Sequence, residues 1–378
     1  MDPLVLIPTD PDDPDFVYGC RLPVEEGLYI RFAPGDDILV VSSLELERAR
    51  SSAQAARIVD RDEVGFVEMV DRRAAWAQVA AGILRQRGET RARISPRLQV
   101  AYFEALRAAG LEVEVDRELF VAERRRKSAE EASFIHAAQR AAEAACAEVI
   151  SHLAVAEIAD GVLWDDGRPL TSERLFARAN AALNEIGYTT AEMIIAGSPG
   201  CAVPHYRGEG QLRANAPIII DIFPRGMTSR YHGDLTRTVV VGEVSEQVRR
   251  MHEACLAALD WAAGQIKAGA DGRAVHRGAC QVLVDHGFGT YTKGLEGNLD
   301  GPRMNHSLGH GVGLGVHEPP SLRDLDYPLQ AGDVVTVEPG LYLQGLGGVR
   351  VEDTGLVTAE GFRNFTTLPR SLDPRAYL

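Results

Sequence analysis

Residues 217–241 read PIIIDIFPRGMTSRYHGDLTRTVVV. Two apolar, β-branched runs flank a polar stretch at 224–230, the pattern of two strands joined by a turn. Each run carries a carboxylate at its inner end. Asp221 follows three isoleucines, and Asp234 precedes a Thr- and Val-rich run. A carboxylate in such a place is expensive to bury unpaired.

Three further stretches put acids or histidines into apolar or glycine-rich surroundings. Residues 306–320 read HSLGHGVGLGVHEPP and hold His306, His310 and His317; 333–340 read DVVTVEPG and end a strand-like run at Glu338; 347–354 read GGVRVEDT and hold Arg350 and Glu352. Singly, a strand-end acid more often caps a turn or pairs with an arginine. Together, four carboxylates and one imidazole supply about −4 charge near neutral pH. Two divalent cations would neutralise that charge. Such oxygen-rich ligation suits manganese, or cobalt and zinc, rather than a thiolate site. Paired metals can activate water and polarise a carbonyl. The glycine run lacks the Gly-Lys-Ser/Thr end of a phosphate loop, and it fits no dinucleotide fingerprint. A zinc helix is excluded as well, since Ser321 stands where a second histidine would follow His317 and Glu318.

Outward from these motifs, the first 123 residues read as mixed α/β. Strand-like runs lie at 37–42, 113–115 and 119–121, with helical stretches at 73–85 and 96–109. The basic run Arg124 to Lys127 marks a boundary and reads as a solvated linker. Ser128 and Glu131 form a capping box that opens a helix. Further helices are expected at 172–186, 245–267 and 273–286, and strands at 192–195, 217–222, 237–241, 333–338, 341–343 and 349–352. The expectation is an α+β catalytic domain over 128–378 behind a smaller α/β domain over 1–123.

Composition narrows the function classes. Of 378 residues, 45% are hydrophobic and 25% charged, as in a globular protein. Lys and Arg number 40 against 54 Asp and Glu, a net −14 that disfavours nucleic acid or an acidic membrane as partner. Five scattered cysteines without a C-x-x-C pair point to reduced thiols and a cytoplasmic setting. Cys201 reads as a buried small hydrophobe rather than a nucleophile. Asp10, Asp12, Asp13 and Asp15 stand where a signal peptide would be basic then apolar, and no apolar run approaches a membrane span.

The ordered motifs resemble those of the pita-bread metallopeptidases, namely methionine aminopeptidase, aminopeptidase P, prolidase and their metal-free relative creatinase. The resemblance covers nearly the whole chain. It implies that Asp221 chelates one metal, that Asp234 and Glu352 bridge two, and that His310 and Glu338 complete the second site. It implies that Glu338 also shuttles the proton of the attacking water. His205 would stand near the leaving group, His317 would steady the carbonyl oxygen, and His306 and Arg350 would line a proline-specific pocket. Packing or support is the alternative reading of those last four, behind the roles the resemblance implies. The interval from Asp221 to Asp234 is two residues longer than the family's usual one, an insertion a hairpin tip can absorb. His232 inside it reads as an exposed turn residue.

The appended N-terminal domain and the His317-Glu318-x-Pro pattern resemble the proline-peptide branch, and creatinase lacks most of the ligands kept here. The resemblance thus implies a dinuclear metal-dependent Xaa-Pro aminopeptidase, with Xaa-Pro dipeptidase (prolidase) as the alternative. Short proline-containing peptides would be its partners, and a homodimer its assembly. A non-catalytic pita-bread binding or scaffold protein, against which the intact ligands and His205 argue, and a metallohydrolase of another C–N or P–O bond are the remaining readings.

Overall fold

Side chains alternate across a strand, and the first part of the chain buries both faces of one sheet. The computed structural model describes residues 2–67, 69 and 71–378. Its contacts divide the chain into Met1–Arg124 and Arg125–Leu378. In the first unit the sheet order is Arg57–Asp60, Asp36–Val41, Leu28–Ala33, Leu4–Leu6, Arg91–Ile94 and Glu112–Val115. Val5, Leu28, Ile30, Ile38 and Val40 point to the layer of helix Arg72–Gln86, where Trp76 is buried. Leu4, Leu6, Tyr29, Leu39 and Val41 point the other way, toward helix Pro14–Cys20.

Two expectations fail here. Residues 119–121 do not form a strand. Leu119 and Phe120 sit in a turn, with Phe120 at φ 57°, and helix Val121–Arg125 follows. Both side chains are buried in the second layer all the same, so their apolarity reports packing rather than a ladder. Nor is the basic run a solvated linker. Arg124 pairs with Asp15 at 3.0 Å, Arg125 with Asp333 at 2.8 Å, and Lys127 with Glu318 at 2.9 Å; only Arg126 of the four is exposed.

The second unit opens on the expected capping box. Ser128 Oγ accepts from Glu131 N at 3.1 Å, and the Glu131 carboxylate accepts from Ser128 N at 2.9 Å, starting helix Ala129–Ala154. Two layers of helices back the sheets of this unit. Ala129–Ala154 and Ser172–Glu185 cover a three-stranded antiparallel sheet of Met193–Gly197, Pro217–Ile222 and Leu235–Val240. Glu246–Gln265 and Gly272–Asp285 cover sheets that contain Gly340–Leu343, Gly347–Arg350, Val334–Val337 and Asp353–Val357. Among the described residues no helix is long and apolar enough to cross a membrane.

Alternation then aims the acids. Ile218, Ile220 and Ile222 face the helices, and each such burial contributes about 2 kcal/mol. Ile219 and Asp221 therefore face the other side of the sheet. On the next strand Leu235 and Val239 face the helices, which turns Asp234, Thr236 and Thr238 the same way as Asp221. In the second layer Val349 and Val351 enter the core, leaving Arg350 and Glu352 opposite; Val335 and Val337 do the same for Glu338. The interval between Asp221 and Asp234 closes as a hairpin. Asp221 pairs with Thr236 in undisturbed register, and Arg225 bridges to His232 beyond it.

Candidate metal centre

Asp221, Asp234, His310, Glu338 and Glu352 all line one cavity of about 560 Å³, with His205, His306, His317 and Arg350 around them. Ligand-type atoms of Asp234, His310 and Glu352 lie within 4.8 Å of one another. His310 Nε2 stands 3.6 Å from Asp234 Oδ2 and 3.4 Å from Glu338 Oε1. Asp221 is in the same wall but gives Oδ2 to Arg350 at 2.6 Å.

Each group is held by neighbours that no motif signalled. The Asp234 backbone N–H donates to Gln139 Oε1 at 2.9 Å, and its carbonyl accepts from Thr354 Oγ1 at 2.8 Å. Gly233 precedes it because a side chain there would strike the backbone of Ala138. Thr236 Oγ1 donates to Glu352 Oε2 at 2.7 Å and accepts from Arg350 Nε at 3.2 Å. Arg350 also donates to the Tyr342 hydroxyl at 2.8 Å, which lies 2.9 Å from His306 Nε2. Since His306 Nδ1 faces the Ser307 carbonyl at 2.7 Å, Nδ1 carries the proton and Nε2 accepts from Tyr342. Gln139 lies far from the motifs in sequence, and Thr236 and Thr354, though inside the quoted stretches, bond partners more than 110 positions away, which is why local pattern could not find these roles.

The electrostatics of this wall call for positive charge. Burial, with Asp221 and Glu338 nearby, pushes the Asp234 carboxyl well up. Glu352 is raised by burial and by Asp234, and Glu338 chiefly by burial. Burial opposes the charge of Arg350, but Tyr342 and Asp221 hold it firmly protonated. His310 is pushed down to about 3 by burial and by His317, whose ring meets it edge-on at 4.2 Å. Its Nδ1 faces the Gly311 carbonyl at 3.1 Å, so the neutral ring turns the Nε2 lone pair toward two carboxylates.

Lone pair against carboxylate is unfavourable unless a proton or a metal cation stands between. Asp221 Oδ1 and Glu352 Oε1 are buried and without a hydrogen-bond partner among the described residues. Buried polar atoms are rarely left so. The donor set of carboxylate oxygens and one imidazole nitrogen fits divalent cations.

Of two other expected positions, Cys201 is as read from the sequence and His232 is not. Cys201 is buried, and desolvation pushes its thiol up to about 11, too high for a nucleophile. His232 is not an exposed turn residue. It is half-buried, its N–H donates to the Gly313 carbonyl at 2.9 Å, and burial lowers it to about 4.

Comparison with known proteins agrees with this arrangement. The family model described as metallopeptidase family M24 matches residues 104–359. An Xaa-Pro dipeptidase of Pyrococcus horikoshii is 34% identical over 183 residues, which are 48% of this chain and 48% of that protein. The chain thus spans about half the length of that relative and of its Pyrococcus furiosus counterpart. An Xaa-Pro dipeptidase of Lactobacillus delbrueckii is 27% identical over 92% of this chain and 88% of its own length. The solved prolidase of P. horikoshii superposes with TM-score 0.80 at 25% identity, covering 98% of this chain and 95% of that one. The fold is shared as well by an X-Pro aminopeptidase of Thermotoga maritima, TM-score 0.81 at 23% identity over 98% of this chain and 97% of that one. These structures share the pita-bread architecture expected for the second unit and the smaller domain before it. With a family model matched over more than half its length, and with the donor set that such chemistry needs gathered in one buried wall, the chain belongs to metallopeptidase family M24.

Proposed function

We propose that the protein hydrolyses the peptide bond before proline in short peptides, acting first on Xaa-Pro dipeptides. The observation that carries the reading is the wall itself: two buried carboxylate oxygens without partners beside an imidazole lone pair. The relatives named Xaa-Pro dipeptidase support the substrate and put the dipeptidase ahead of the aminopeptidase, reversing the order drawn from the sequence. Xaa-Pro aminopeptidase is the second reading.

In this scheme Asp221, Asp234, His310, Glu338 and Glu352 hold two divalent cations, with manganese preferred on its oxygen-rich ligands and cobalt or zinc as substitutes. Bound there, the cations activate water and polarise a carbonyl. Glu338 takes the water's proton and delivers it onward. His317 donates to the carbonyl oxygen as charge develops on it. His205 assists departure of the proline nitrogen, and His306 and Arg350 shape the pocket wall. Proline offers no N–H at the scissile bond, so these groups fit a ring rather than read a donor. Buried free cysteines support a cytoplasmic setting, a homodimer is the assembly the resemblance implies, and the net charge of −14 argues against nucleic-acid or acidic-membrane partners.

The test strips the protein with chelator, reloads it with Mn²⁺, and follows release of the N-terminal residue. Ala-Pro, Ala-Pro-Ala and Ala-Ala-Ala are the substrates. Cleavage of Ala-Pro alone is expected. Cleavage of Ala-Pro-Ala moves the assignment to the aminopeptidase, and cleavage of only Ala-Ala-Ala removes the proline reading.

A further inference from the structure

Two arginines line the cavity, in opposite situations. Arg350 is sunk in the wall, its guanidinium committed to Asp221, Tyr342 and Thr236. Arg207 stands at the mouth with its side chain 56% exposed; its pairing with Glu192, 65% exposed, is a loose 3.6 Å. Its other contact is a long 3.5 Å bond to the Ala191 carbonyl. An ion pair this open is worth at most about 1 kcal/mol, so Arg207 can exchange it for another anion at little cost.

The backbone fixes where that anion would lie. The Arg207 carbonyl accepts from Ile195 N at 2.9 Å, which ties the segment to the edge of the three-stranded sheet. His205 and Arg207 both line the cavity, whereas Tyr206 between them packs with Cys201 and Tyr342. His205 ends a turn in which Tyr206 N donates to the Val203 carbonyl at 3.0 Å, and residues two apart stand at most about 7 Å from one another. A substrate whose proline nitrogen sits by His205 carries its next carbonyl carbon two bonds further on. That group therefore faces Arg207, one step out along the same edge.

We propose that Arg207 receives the C-terminal carboxylate of an Xaa-Pro dipeptide and so determines preference for dipeptides over longer chains. The proposal rests on the proline-dipeptide reading above. In a dipeptide the group beyond the ring is an anion that a guanidinium can grip through two hydrogen bonds. In a longer peptide it is a neutral amide, and the chain beyond must pass the guanidinium. The floor of the cavity is acidic and suits the α-ammonium, so floor and mouth together complement a zwitterion.

The test compares wild type, Arg207→Gln and Arg207→Lys, reloaded with Mn²⁺, on Ala-Pro and on Ala-Pro-amide. Wild type should favour Ala-Pro. Arg207→Gln should raise its KM about 10- to 100-fold, keep kcat within about threefold, and erase the preference over the amide. Arg207→Lys should retain part of it. Product binding gives a readout apart from turnover: in calorimetry L-proline should bind wild type more tightly than prolinamide, and Arg207→Gln should remove the difference. Equal losses on both substrates, or an unaltered KM for Ala-Pro, would overturn the role of Arg207 while the proline reading stands. Failure of the wild type on every proline peptide overturns both.

Discussion

Glu352 and Asp353 are consecutive, acidic and buried, yet they face opposite sides of one strand end. Asp353 gives Oδ1 to Arg237 at 3.0 Å, and its Oδ2 accepts from Asn364 at 2.6 Å and from Arg370. Arg237 in turn spends every guanidinium hydrogen, on Asp353 and on the carbonyls of Thr236, Glu352, Leu368 and Pro369. On the cavity side, Glu352 Oε2 has Thr236, but Oε1 has no hydrogen-bond partner among the described residues. Burial is equal and satisfaction is not. A saturated charge cluster holds a fold together, whereas an unsaturated one awaits a ligand.

Glu352→Gln should cause the largest change. Losing one acid from the wall should lower kcat/KM for Ala-Pro by at least about a thousandfold, the scale of the several kcal/mol that metal charge supplies. Thermal unfolding of the chelated protein should stay level or rise, because a carboxyl raised by burial and like charge has been neutralised. Near-normal turnover would sink the two-metal scheme. Asp353→Asn should do the reverse. It strands Arg237 in the interior and should cost about 3–5 kcal/mol in urea unfolding, while the folded fraction keeps turnover within about tenfold. A loss under about 1 kcal/mol would erase the contrast between the two faces.

The third and smallest effect tests whether every orphan marks chemistry. His252 Nε2 is also buried without a hydrogen-bond partner among the described residues, but in the helix Glu246–Gln265, outside the cavity. Burial lowers this histidine from 6.5 to about 4. The unfolded chain therefore binds a proton between those values that the folded chain refuses. Stability is complete above about pH 6.5 and is lost as pH falls toward 4, by up to about 3 kcal/mol. His252→Gln in the chelated protein should flatten that acid limb and leave pH 8 stability nearly unaltered. An identical acid limb in both proteins would assign the loss elsewhere.

What the sequence made legible follows the same division. Valines alternating with Arg350 and Glu352 encode which face those two charges take, because the strand period is two, whereas the unbroken isoleucine run before Asp221 marks a buried strand without marking its faces. The capping box at Ser128 was legible because both partners lie within one turn. The pairing of Arg125 with Asp333, 208 positions away, was not, and a run of cations looked solvated for want of its partners. Gln139 supporting Asp234, and Tyr342 joining Arg350 to His306, are long-range for the same reason. Residues 119–121 misled differently, since their burial comes from a turn pressed onto a core.

The short run from Arg125 to Lys127 also sets how the chemistry could be inherited as a portable module. Asp333 and Glu318 are almost wholly buried, at 0% and 4% side-chain exposure, and their cations come from just upstream of the first long helix. Glu318 in turn accepts from Gly315 N at 3.2 Å, inside the loop between His310 and His317. A gene cut at Ser128 would carry every cavity residue and yet leave two interior acids without counter-charge. Recombination upstream of Arg125 preserves both, so the transferable piece begins at the cations, ahead of the helix that looks like its start.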